Sequence, residues 1–185
     1  MRTVRLILLC LLAGISMQAQ QSQKASDRVA EIRRLYAEAK ELMAGQHVEE
    51  NANYEMTVTS NHVIPALGPV NETIHYYFGL DDEKFEEDLT LEYHPYFITR
   101  SYHLAAPAYY EEYLLDRKTG NLIFYFQSSE SIEQEGARNE VRYYWDSSGQ
   151  KLVHQTQQGT DAASEGVAQH HARRLKEAFQ HLVNY

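Results

Sequence analysis

A chain of 185 residues with a formal net charge of −9 is long enough for one domain with a sizeable core. Its acidity repels phosphate backbones and anionic lipid, so neither nucleic acid nor a membrane surface is an expected partner. A single cysteine, Cys10, excludes an internal disulfide and leaves stability to an ordinary apolar core.

The first element is a leader. Met1–Arg5 holds two arginines and no acid, Leu6–Leu12 is apolar without a break, and Ser16-Met17-Gln18-Ala19 is small and polar. These are the three regions of a secretory signal, and the apolar run is well short of the ~20 residues that a spanning helix needs. The expectation is a signal peptide over 1–19, cut after Ala19, and one domain over 20–185 that is periplasmic or secreted, with no membrane contact once the signal is removed. Cleavage would take away Arg2, Arg5 and Cys10, moving the net charge from −9 to about −11. A lipoprotein signal is disfavoured, because Leu9 stands where a small residue must precede the lipidated cysteine.

Gln20–Ala25 reads as a frayed polar segment. Ser26 is a candidate cap for a helix running to about Ala44, with Val29, Ile32, Tyr36, Ala39 and Met43 at helical spacing and Gly45 as its stop. Strands are predicted at Tyr54–Thr59, Thr73–Phe78, Tyr96–Leu104, Tyr109–Leu115, Leu122–Gln127, Val141–Trp145 and Leu152–Thr156. Pro65, Gly68 and Pro69 mark a loop, and the acidic run Asp81–Asp88 reads as a solvated loop or short helix. Asp116…Gly120 and Asp146…Gly149 suit tight hairpin turns. A last helix, capped by Ser164 or Asp161, carries Val167, His171, Leu175, Ala178 and Leu182 as a stripe, widened by Ala168, Ala172, Phe179 and Val183. The predicted fold class is α+β: an antiparallel meander of about seven strands flanked by an N-terminal and a C-terminal helix, with both helices on one face.

Tyr109-Tyr110-Glu111-Glu112-Tyr113-Leu114-Leu115-Asp116, followed by Gly120-Asn121-Leu122-Ile123-Phe124-Tyr125-Phe126, resembles uncharacterised secreted proteins of Bacteroidetes-type bacteria, and the leader ending Met17-Gln18-Ala19-Gln20 is similar to exported proteins of that group. The resemblance implies an exported α+β domain. It implies no activity and transfers no functional residue.

No motif names a reaction. The nine histidines lack metal-ligand spacing, and neither a nucleophile elbow nor a glycine-rich phosphate loop is present. No cofactor is indicated. Glu111, Glu112 and Glu140 fall on strands among aromatic residues, where pairing with arginine across the sheet is the ordinary role. The 14 tyrosines fit strand chemistry first, with a recognition surface as the second reading.

Strict alternation puts Val141, Tyr143 and Trp145 on one face and Glu140, Arg142 and Tyr144 on the other; likewise Leu122, Phe124 and Phe126 oppose Ile123, Tyr125 and Gln127. With both helices on the core face, the second face would be open, charged and aromatic, and Arg100 and Tyr102 would join it. The candidate ligand-binding residues are therefore Arg100, Tyr102, Tyr125, Arg142 and Tyr144, in an exported, non-enzymatic binding or interaction domain for a glycan, peptide or protein. Two alternatives stand beside this reading: an extracytoplasmic hydrolase acting on polymers through sheet carboxylates, and an inhibitor or accessory subunit that presents the Pro65–Pro69 loop. The sequence sets no oligomeric state.

Overall fold

A computed structural model describes residues 2–45, 53–66, 68–80, 85–87, 89–103, 107–131, 136–157 and 163–183, with the backbone alone for 2–22, 53 and 157. Helix α1 (Arg2–Ala44) leads into seven strands, β1 (Asn53–Ile64), β2 (Gly68–Leu80), β3 (Tyr93–His103), β4 (Ala108–Leu115), β5 (Leu122–Glu130), β6 (Arg138–Trp145) and β7 (Lys151–Gln157), and helix α2 (Glu165–Val183) follows. The strands form one sheet in chain order, every neighbour antiparallel. The α+β meander with a helix at each end agrees with the sequence pattern.

The helices do not share a face. Val29, Ile32 and Ala39 of α1 pack on Phe97, Leu114, Phe124 and Tyr144, whereas Ala168, Ala172, Leu175 and Phe179 of α2 pack on Tyr76, Ile98, Tyr113, Tyr125 and Trp145. The sheet is the middle layer of three. The expectation of one covered and one open face fails because both sets of alternate residues are rich in aromatics, and each set buries enough apolar surface to hold a helix. The continuous burial of Glu111 to Leu115 in β4 records this two-sided cover.

Phase changes within strands add a second correction. The register shifts between Leu114 and Leu115 opposite β5, between Tyr77 and Phe78 opposite β3, and between Tyr144 and Trp145 opposite β7. These bulges leave Tyr96, Ile123 and Leu152 as extra residues, and each packs on the α1 side together with the residue after it. Hence Leu122 joins Tyr125 on the α2 side, while Ile123, Phe124 and Phe126 share the α1 side. A bulge breaks the two-residue period that strict alternation assumes.

Local chemistry accounts for most boundaries. Gly45 ends α1, its N–H donating to Glu41 at 3.0 Å. Ser164 opens α2, accepting from the Ala168 N–H at 3.0 Å, whereas the rival cap Asp161 lies outside the described residues. Gln20–Ala25 is helical rather than frayed and Ser26 is no boundary, since α1 runs unbroken from Arg2; no proline interrupts that stretch. Val167 and Leu182 are exposed, so the buried stripe of α2 is narrower than the pattern suggests. Of the acidic run, Phe85–Glu87 is an exposed helical turn, and residues 81–84 and 88 lie outside the described residues. Within the tip of the β1–β2 hairpin Val63 is 73 % exposed.

The β4–β5 turn closes on Gly120, whose φ is +65° and whose N–H donates to the Asp116 carbonyl at 2.7 Å. A Cβ there would lie 2.4 Å from Lys176 Nζ of α2, whereas at Gly149 (φ +88°) it would meet nothing within 4 Å. The Lys176 ammonium ends a flexible side chain and can swing aside, so Gly120→Ala and Gly149→Ala are each expected to cost the ~1 kcal/mol of a left-handed alanine in urea denaturation, Gly120→Ala adding only the loss of the Lys176 bond to the Gly120 carbonyl.

Candidate functional site

Adjacent residues of a strand point to opposite faces, so Glu111 and Glu112 carry one carboxylate into each of the two cores. β4 is the fourth strand of seven, and helices cover it on both sides. Burying a carboxylate is costly unless donors surround it, and each of these two has drawn its own set.

Glu111 faces α2 and is 0 % exposed. Its Oε1 accepts from Tyr125 and Gln127 at 3.0 Å and from Tyr102 at 3.3 Å. Its Oε2 accepts from Tyr113 at 2.5 Å and from Arg100 Nη1 at 3.3 Å. Arg100 sits directly across the β3–β4 ladder, the pairing that the sequence favoured. It also donates through Nε to Glu72, lies over the Tyr102 ring at 4.3 Å, and stands 3.3 Å from His171 Nδ1 of α2. Burial alone would push the Glu111 carboxyl up; His171, Tyr113 and the Arg100 charge outweigh it and bring the group down from 4.5 to about 2.

Glu112 faces α1. Tyr36 and Lys40 of the helix donate to it at 2.6 and 2.8 Å, and Tyr110 of its own strand donates at 2.8 Å. Burial, and the carboxylate each one serves, push the phenols of Tyr36, Tyr102, Tyr110, Tyr113 and Tyr125 above their ordinary value, which keeps all five as donors. Many of the tyrosines thus act as apolar wall and carboxylate clamp at once.

Beside Glu112 a cavity of about 290 Å³ opens between α1 and the sheet, lined by Ile32, Arg33, Tyr36, Phe124, Phe126, Arg142 and Tyr144. The Arg142 guanidinium lies 4.7 Å from the centre of the Phe126 ring and pairs with Glu140 at 2.9 Å. Arg33 lies 5.7 Å from the centre of the Tyr144 ring. Among the described residues, Arg33 has no carboxylate partner and no group of three His, Cys, Asp or Glu side chains could hold a metal.

The five sequence-selected residues are divided by the sheet. Arg100, Tyr102 and Tyr125 belong to the enclosed Glu111 cluster. Arg142 and Tyr144 line the cavity under α1, where Tyr144 is only 4 % exposed. No open platform joins them, because α1 covers that face. Arg33, Tyr36 and Lys40 were missed. The signal for Tyr36 and Lys40 was the Glu111-Glu112 doublet, which needs donors on both faces of β4; no comparable signal marked Arg33.

The chain matches no known protein family, no curated protein and no solved structure.

The low Glu111 value sets a pH dependence. A carboxylate held below its unfolded value contributes stability above about pH 5 that fades as pH falls toward 2. The contribution is roughly 3 kcal/mol at neutral pH. The wild type's resistance to denaturant should fall as pH drops across that window, and Glu111→Gln should flatten the slope. Glu111→Leu, which leaves Arg100 and three phenols without their acceptor, should cost ~3–5 kcal/mol at pH 7.

Proposed function

We propose that this chain is an exported, non-enzymatic binding domain that receives its ligand in the cavity between α1 and the sheet. One observation carries the reading: Arg33 and Arg142, each set over an aromatic ring, flank a cavity of about 290 Å³ with the fully engaged Glu112 beside it. Rings and guanidinium groups together offer a stacking surface and fixed donors, the combination that holds a planar or ring-shaped group with polar edges. The volume suits one sugar residue or one peptide side chain, anchored there while the rest of the ligand runs along the rim.

The hydrolase alternative requires two acids in one cleft with one of them free to exchange a proton. Glu111 and Glu112 face opposite sides of β4, and every oxygen of both accepts at least one hydrogen bond. Arg33 and Arg142 carry no acid–base chemistry at neutral pH. Binding is therefore the reading these side chains favour.

Export rests on the leader, and α1 accommodates its removal. Among the described residues, the α1 side chains that pack on the sheet begin at Val29, so cutting after Ala19 leaves that layer intact. Intact-mass measurement on protein recovered outside the cytoplasm should give a chain that begins at Gln20. Recovery of the full-length chain from the cytoplasm alone would count against export.

Screening against glycan and peptide arrays tests the cavity. Arg33→Ala and Arg142→Ala remove half-exposed or exposed groups and should leave the melting temperature within a few degrees of wild type. Each should weaken the strongest array ligand by about tenfold, the loss of one charge-assisted hydrogen bond. Undiminished binding in both variants would remove this cavity from consideration.

A further inference from the structure

A second cavity, of about 500 Å³, lies along the opposite flank of α1. Tyr96 and Ile123 are two of the three extra residues that the register shifts place on the α1 side. Both line the cavity from the sheet side. With Leu35, Leu42 and Leu114 they make an apolar floor.

The rim carries three cations, Arg28, Arg117 and Lys118, and three acids, Glu31, Glu38 and Asp116, but they do not pair off among themselves. Arg28 is engaged by Glu31 at 2.7 Å and by Asp116 at 3.4 Å, and Glu38 is engaged by Arg34. Asp116 is further occupied by the backbone N–H groups of Lys118 and Thr119 at 3.1 and 3.0 Å. Arg117 and Lys118 remain. Neither has a carboxylate partner among the described residues, and the Arg117 guanidinium rests 4.5 Å above the Tyr96 ring centre. Two uncommitted cations beside an apolar hollow are conspicuous in a chain of net charge −9.

The floor holds an unmet hydrogen bond as well. Tyr96 is 3 % exposed, and its hydroxyl is the only buried side-chain nitrogen or oxygen without a partner among the described residues. Burial holds its phenol above the ordinary value against the pull of Arg117, so it is a donor at neutral pH. Buried hydroxyls in folded proteins are almost always paired, and an orphan destabilises the fold.

We propose that this cavity binds an amphipathic carboxylate, its apolar body seated on Leu35, Leu42, Leu114 and Ile123 and its carboxylate taken by Arg117 and Lys118. Entry of the carboxylate draws Arg117 from the Tyr96 ring and brings an acceptor to the Tyr96 hydroxyl. The site is separate from the one flanked by Arg33 and Arg142, since the body of α1 stands between them.

Decanoate, decanol and decyltrimethylammonium, followed by methyl NMR and calorimetry, test the proposal. Decanoate should bind most tightly and decyltrimethylammonium least, opposite to the order that non-specific attraction to an acidic protein gives. Its shifts should fall on the methyl groups of Leu35, Leu42, Leu114 and Ile123. Arg117→Glu should weaken decanoate by about tenfold and leave decanol unchanged. Tyr96→Phe should raise the thermal stability of the free chain while weakening decanoate, a split that a purely structural tyrosine would not give. Equal or tighter binding of decyltrimethylammonium, decanoate affinity unmoved by Arg117→Glu, or shifts confined to the Phe126 and Tyr144 side of α1 would each overturn the assignment.

Discussion

Two carboxylates leave the middle strand in opposite directions, and most of the polar architecture answers to them. Glu111 and Glu112 are consecutive, so one strand delivers a negative charge to each core. Five side chains converge on the first and three on the second. The donors come from β3, β4 and β5 on the α2 side, and from α1 and β4 on the other. A carboxylate with this much support is immobile and closed to solvent. Such clusters rigidify a core, and at Glu111 the donors outweigh the cost of drying the charge.

The two layers differ in how the helix meets the sheet. α2 is tied in by polar contacts along its length: Glu165 accepts from the Trp145 indole at 2.9 Å, Lys176 reaches the Gly120 carbonyl at 3.1 Å, and Gln180 reaches the Tyr93 carbonyl at 3.2 Å. α1 is tied by Arg28 to Asp116 and by Tyr36 and Lys40 to Glu112, and a cavity lies on each side of it. The bulges add side chains to the α1 face only.

The element order, the strand count and the two hairpin turns were legible in the sequence, because each rests on local chemistry: apolar period, aspartate-led turns and glycine at positive φ. Which face each helix covers was not, since alternation gives two sets and does not say which is wet. In β6, Tyr144 shares its side with Glu140 and Arg142, and that company suggested solvent; the structure buries Tyr144 under α1 and lets only the charged tips reach out. Ile123 shows the other limit. Its placement depends on a register shift against β4, inside the β4–β5 hairpin, and strict alternation has no term for an extra residue.

The three bulges also bear on how the meander finds its pairing. A strand that slips by one residue turns every side chain over, and in a sheet apolar on both faces such a slip would meet little hydrophobic resistance. Glu111 supplies the missing penalty. Slipping β5 by one position would turn Tyr125 and Gln127 away and bring Phe124 and Phe126 toward the carboxylate, stranding a buried charge at a cost of several kcal/mol. The cluster thereby acts as a proofreading mark for strand alignment. It penalises misaligned sheets more than it strengthens the native one.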